Sequence, residues 1–162
     1  MKRQEISYFG NKELLKQHKT GFLCSEKIPA KIVLESYDWA VKMRNDNKCV
    51  ISGFHSKIEK DVLHFLLKGT QPIIIVLARS MKKTFPPEIK KAIDSNRILI
   101  ISPFPDSVKR ITQETSIERN KYILEISDTI YIPYIHKSGK LDSLLSVNKK
   151  YSKKMIQLNQ ND

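Results

Sequence analysis

Short apolar runs that recur between helical patterns constrain this chain most. They are Gly21–Cys24, Cys49–Ser52, Ile73–Ala78, Ile98–Ile101 and Thr129–Ile132. None alternates apolar with polar residues, so these strands are expected to be buried on both faces. Between them lie segments with apolar residues at helical spacing: Ile32 to Met43, Ser56 to Lys68, Pro87 to Ile93 and a stretch through Ile123, Leu124 and Ile126. A last helix is expected over Leu141, Leu144, Leu145 and Val147. Strand–helix alternation of this kind predicts an α/β protein with an open, doubly wound, mostly parallel sheet and right-handed crossovers. A chain of 162 residues with 40% hydrophobic content can bury a real core. We expect one domain over residues 1–162, with its core at about 8–147 and a basic tail at 148–162. The polar ends, Met1–Asn11 and Lys149–Asp162, are expected to be mobile.

Ligands of such sheets bind outside the carboxyl ends of the strands. Those ends carry Ser25 to Lys27, Ser52 to Ser56, Arg79-Ser80, Ser102 to Phe104 and Tyr134 to Gly139. The second is the most informative. Ser52-Gly53-Phe54-His55-Ser56 joins a strand to a helix, and Ser56 with Glu59 forms an S-x-x-E capping box. Gly53 allows a sharp turn and close approach of a ligand. A small-residue turn into a helix N-terminus offers backbone N–H groups and partial positive charge to an anion, typically phosphate. The alternative is a plain helix cap without a ligand.

The formal net charge of +12 favours polyanionic partners. The alternative is a lysine-rich solvated surface. Arginine is confined to Arg3, Arg44, Arg79, Arg97, Arg110 and Arg119, so weak base preference is expected if nucleic acid is bound. Lysines cluster at Lys12, Lys16 and Lys19, and again at Lys149, Lys150, Lys153 and Lys154. The second cluster reads as a solvated tail, with a phosphate-tracking arm as its alternative. Cys24 and Cys49 lie in apolar runs and are expected to be buried free thiols. The histidines show no metal-ligand spacing, so no metal and no cofactor is expected. No apolar run is long enough to span a bilayer, and the first residues do not form a secretory signal. A soluble, cytoplasmic protein without membrane contact is the expectation.

Further candidates are weaker. Arg119-Asn120 follows a second S/T-x-x-E pattern, Thr115 to Glu118, which places Arg119 in the first turns of a helix. A cation there opposes the helix dipole and asks for an anionic ligand, or for pairing with Glu118 or Glu114. Ser138-Gly139 is a turn able to present N–H groups to an anion. Phe54 and Phe104 are candidates for base stacking, against packing at the sheet edge. His55 and Glu59 are acid–base candidates without a partner nucleophile, so no catalytic residue is assigned. Walker A, G-x-S-x-G and G-x-G-x-x-G patterns are absent.

Several of these segments together resemble the DprA/Smf DNA-processing proteins. Ser52-Gly53 through Ile58-Glu59 resembles their S-G-x-x-x-x-I-D turn, and Gln71-Pro72-Ile73 to Ala78 their following strand. Pro86-Pro87-Glu88 is similar to the segment leading their next helix. Glu118-Arg119-Asn120-Lys121-Tyr122-Ile123 resembles their R-N-R-I-I helix. Ser127 to Tyr134, with Ser138-Gly139-Lys140-Leu141, resembles the strand and S-G-S-L turn after it. The resemblance runs over roughly residues 8 to 147. It implies a Rossmann-like fold and a protein that binds single-stranded DNA rather than an enzyme. The same superfamily holds nucleotide-binding sensors and LOG-type phosphoribohydrolases, whose P-G-G-x-G-T-x-x-E motif is absent here. The chain departs from the family pattern where G-S-R becomes Cys24-Ser25-Glu26, where G-I-D becomes Lys57-Ile58-Glu59, at Leu63 in place of histidine, and at Lys121 in place of the second arginine. Lys27 supplies a nearby charge, but an ammonium does not copy a bidentate guanidinium.

The expected ligand is single-stranded DNA or a nucleotide, held by its phosphates. The expected binding residues are Ser25, Lys27, Ser52, Gly53, Phe54, His55, Ser56, Glu59, Arg79, Arg119, Asn120, Ser138 and Gly139. A nucleotide-binding sensor and a nucleotide-processing enzyme are the alternatives. A homodimer is compatible with the exposed edge of a parallel sheet.

Overall fold

The computed structural model describes residues 5–157. Strands β1 (Ser7–Gly10), β2 (Lys19–Phe22), β3 (Cys49–Ser52), β4 (Ile73–Val76), β5 (Ile98–Ser102), β6 (Thr129–Ile132) and β7 (Met155–Gln157) form one sheet. Its order is β1-β5-β4-β3-β2-β6-β7, and only β1 runs antiparallel to its neighbour. Helices α1 (Ala30–Asn45), α2 (Lys57–Leu67), α3 (Pro87–Asp94), α4 (Gln113–Ile126) and α5 (Lys140–Val147) connect the parallel strands. The chain steps outward from β2 to β5, and α4 then carries it back to place β6 on the other side of β2. The winding direction therefore reverses between β2 and β6. This is the expected Rossmann-like α/β architecture.

The continuous apolar runs are explained by two cores. Val50, Ile73, Ile75, Ile98 and Ile100 pack toward α1, α2 and α3. Their neighbours Cys49, Ile51, Ile74, Val76, Leu99 and Ile101 pack toward α4 and α5. Burying each such side chain contributes about 1.5–3 kcal/mol, so neither face tolerates a polar residue cheaply. An aromatic stack fastens α1 to the sheet: Trp39 lies 4.4 Å from Tyr131 and 5.2 Å from Phe22, ring centre to ring centre.

At the amino-terminal pole of the strands, a buried lysine and a half-buried arginine serve the fold. Lys19 Nζ donates to the carbonyls of Leu15 and Gln17 at 3.0 Å and to Asp128 Oδ2 at 3.2 Å. Arg97 donates from Nε to the Gln71 carbonyl at 2.7 Å and from Nη1 to the Leu67 carbonyl at 3.1 Å, closing the end of α2.

Three sequence expectations need correction. The strand expected at Gly21–Cys24 is β2, Lys19–Phe22, which starts slightly ahead of the apolar run. The ends are not free: Ser7–Gly10 forms β1 against β5, and Lys149–Lys154 forms a 3-10 turn leading into β7. Met1 to Gln4 and Leu158 to Asp162 lie outside the described residues. Finally, α4 starts one turn earlier than Thr115. Thr112 is its cap, accepting from Thr115 N at 3.1 Å, while Thr115 Oγ1 accepts from Thr112 N at 2.8 Å. A threonine hydroxyl thus fills the role that the S/T-x-x-E pattern reserves for a carboxylate.

Candidate nucleic-acid interface

The topology leaves a cleft of about 490 Å³ where β2, β3 and β6 end, beside the point of reversal. Residues after β2 (Ser25, Glu26, Lys27), the turn after β3 (His55, Ser56, Glu59), α4 (Thr112, Ser116, Arg119, Asn120) and the start of α5 (Gly139, Lys140) line it. Of the residues expected at the site, Ser25, Lys27, His55, Ser56, Glu59, Arg119, Asn120 and Gly139 come together here. Gly53, Phe54 and Arg79 line a neighbouring hollow of about 820 Å³, which Arg119 and His55 share with the cleft. Ser52 lies beneath both, and Ser138 stands outside the lining.

The turn after β3 is built differently from the expected phosphate cradle. Ser52 Oγ accepts from Phe54 N at 3.3 Å. Glu59 Oε1 accepts from His55 N at 3.0 Å and Ser56 N at 3.1 Å, and Ser56 Oγ accepts from Glu59 N at 3.4 Å. The N–H groups of residues 54 to 56 are therefore taken by the chain itself. A buried carboxylate occupies the place an incoming phosphate would need. The same holds at the second turn. Ser138 N donates to Asp142 Oδ2 at 2.8 Å and Gly139 N to the His136 carbonyl at 3.0 Å.

Gly53 has a role other than the expected one. Its φ is not in the left-handed region, whereas that of Phe54 is, at 49°. A Cβ on Gly53 would lie 2.5 Å from Arg119 Cζ and 2.7 Å from Arg119 Nε. The glycine exists to let a guanidinium rest on the turn. Arg119 is the seventh residue of α4, away from the helix N-terminus, and is only 5% exposed. It does not pair with Glu118, which binds Lys121 at 3.1 Å. Its Nε donates to Asn120 Oδ1 at 3.0 Å. Among the described residues no oxygen accepts from its Nη atoms, and neither is a sealed, unpartnered atom, so that edge of the fork faces the two hollows. Burial pulls the Arg119 pKa down, and the charge of Glu59 opposes that.

Ser25 also acts within the fold. It is buried, and its Oγ accepts from His136 N at 2.7 Å, clasping the loop after β2 to the loop after β6. Cys24 Sγ adds a weak bond to the Tyr134 carbonyl at 3.8 Å. Lys27 and Glu26 remain exposed at the rim. His55 is held below its usual pKa by burial, then by Arg119 and Lys60. Phe54 and Phe104 are both buried, so packing rather than base stacking accounts for them. Arg79 turns its Nε to the Ser80 carbonyl at 3.2 Å. Sequence reasoning missed Thr112, Ser116 and Lys140 at the cleft. It also missed Lys60, Lys68 and Lys82 around the second hollow. Helical spacing puts Lys60 one turn after Ser56 on the same side of α2, but the loop residue Lys82 gave no signal. Among the described residues no group of three or more His, Cys, Asp or Glu gathers to hold a metal. No described helix is long and apolar enough to cross a membrane.

The model of the DNA recombination-mediator protein A family matches residues 4–160. The chain belongs to this family. Solved structures agree on the fold. DNA processing protein A from Helicobacter pylori, described by its single-stranded DNA binding mode, is 16% identical with a TM-score of 0.73, over 99% of this chain and 75% of that one. DNA processing protein A (DprA) from Streptococcus pneumoniae is 16% identical with a TM-score of 0.68, over 97% of this chain and 56% of that one. A molybdenum cofactor binding protein from Rippkaea orientalis shares the fold at 11% identity, with a TM-score of 0.54 over 83% of this chain and 73% of that one. No curated protein matches the chain.

Proposed function

We propose that this DprA-family chain binds single-stranded DNA through the phosphate backbone, in the cleft at the carboxyl ends of β2, β3 and β6. The observation that carries the reading is Arg119. A guanidinium seated on Gly53, steadied by Asn120 and open along its Nη edge is set to receive a phosphate oxygen. Lys27 and Lys140 at the rim add charge, as does the net charge of +12. Family membership and the single-stranded DNA binding mode of the Helicobacter pylori protein support the same reading. Backbone N–H groups of the two turns have no part in it, because Glu59, Asp142 and His136 hold them. His55 and Glu59 are assigned no catalytic step. Two free cysteines fit a reducing cytoplasm, and the place of β7 as an edge strand among the described residues fits a homodimer.

The test is affinity for a labelled single strand before and after Lys27→Ala combined with Arg119→Ala. Loss of two charged contacts is expected to weaken binding by tenfold or more, on the scale of about 1.5–3 kcal/mol per charged hydrogen bond. Unchanged affinity in a folded double variant would remove the cleft from consideration.

A further inference from the structure

Two lysine-rich segments lie at the pole of the sheet opposite the cleft, one beside the β1 edge and one beside the β7 edge. Lys12 opens the 3-10 turn Lys12–Lys16 after β1, and Lys149, Lys150 and Lys153 lie on the turn Lys149–Lys154 before β7. Both turns border the carboxyl-terminal end of α4. Lys19 Nζ, bound to the Leu15 and Gln17 carbonyls beside the first turn, also binds Asp128 just beyond α4. Lys154 Nζ donates to the carbonyls of Leu124 and Glu125 at 3.0 and 2.8 Å, capping that helix. The second segment is thus a fixed surface where a solvated tail was expected.

Its charges are arranged with aromatic rings. Lys12 Nζ stands 4.4 Å from the centre of the Tyr8 ring, and Lys150 and Lys154 stand 5.0 and 5.3 Å from that of Tyr151. Lys12, Lys149, Lys150 and Lys153 are exposed. Carboxylates at this pole are engaged elsewhere: Glu13 with Lys16, Glu118 with Lys121 and Asp128 with Lys19. Glu125 and, at the end of α3, Asp94 are exposed acids without a paired cation among the described residues. The α4 carbonyl end draws Lys154 inward, and the other lysines face solvent with no acid of the described residues paired to them.

We propose that this pole is a second surface for single-stranded nucleic acid, with Lys12, Lys149, Lys150 and Lys153 on the phosphates and Tyr8 and Tyr151 as stacking platforms. Lysines interleaved with half-buried tyrosines match the combination that holds single strands without sequence preference. The surface is separate from the cleft and does not depend on the cleft's reading. With both in use, one molecule holds two segments of strand at opposite ends of its sheet.

Brief acetylation of the full chain, with and without a thymidine oligonucleotide, tests this by mass spectrometry. Severalfold protection of Lys149, Lys150 and Lys153 is expected, and equal modification in both samples would overturn the proposal. The exposed-residue variant Lys149→Ala, Lys150→Ala, Lys153→Ala should keep the fold. It should flatten the slope of log affinity against log salt by about 2, at about 0.7 per lysine on a single strand. An unchanged slope would overturn it as well. In the cleft variant Lys27→Ala, Arg119→Ala, protection at the pole should persist, which separates failure of one site from failure of the other. A duplex that displaces the single strand from the pole as well as a single strand does would refute the single-strand assignment.

Discussion

Gly53→Ala probes the seat of Arg119 with a single added carbon. The glycine's φ does not require glycine, so the cost of alanine is steric and not backbone strain. The new methyl group would stand 2.5 Å from Arg119 Cζ, well inside contact distance, and the guanidinium must shift. The guanidinium is the far end of a flexible side chain whose Nη edge opens onto the two hollows, so it gives way toward them and strains its bond to Asn120. Displacing a flexible side-chain end toward open space lies at the low end of overpacking costs, about 1 kcal/mol. For a chain of this length each kcal/mol lowers Tm by about 2–4 °C. In an Arg119→Ala background the obstruction is gone. There Gly53→Ala should be neutral, or stabilise by about 0.4–1 kcal/mol through the unfolded chain. Thermal or urea unfolding of wild type, both single variants and the double variant gives the coupling directly. Equal destabilisation by Gly53→Ala in both backgrounds would refute the claim that the glycine is there for the arginine.

Other predictions follow from the same geometry. Glu59→Gln keeps the shape of the capping box but replaces a charged acceptor of two N–H groups and removes the anion near Arg119, so unfolding should show a loss of about 1–3 kcal/mol. His55 has a folded pKa below its unfolded value, so the unfolded chain takes up more protons in that window. Stability should fall as pH drops through the histidine range, less so in His55→Gln, and an NMR titration should show His55 moving toward its usual pKa when a phosphate-bearing ligand is bound. Burial pushes the thiols of Cys24 and Cys49 up to about 12, with Glu59 adding to the first and Asp128 to the second. Both should resist iodoacetamide near pH 8 in the native protein and react freely in denaturant.

The parts of the fold that were legible in the sequence are those made by side chains. Strands β3, β4 and β5 are continuous β-branched and apolar runs because both of their faces are covered. Strands β1 and β7 were hidden because they are edge strands held by backbone pairing, and short mixed stretches such as Ser7–Gly10 carry no periodic signal. The cleft's position followed from topology alone. Its contents did not, because the neighbours of Gly53 and Ser25 come from distant parts of the chain: Arg119 rests on one and His136 binds the other. The S-x-x-E pattern at Ser56 and Glu59 already states that the helix's N–H groups have an internal acceptor, which argues against a phosphate in the same place.

Binding of a labelled single strand by fluorescence anisotropy across several salt concentrations, with duplex and mononucleotides as competitors, tests the central claim most directly. Single-strand binding that weakens steeply with salt and is not displaced by mononucleotides is expected. Absence of binding near physiological salt, together with a thermal shift produced by one nucleotide, would contradict it.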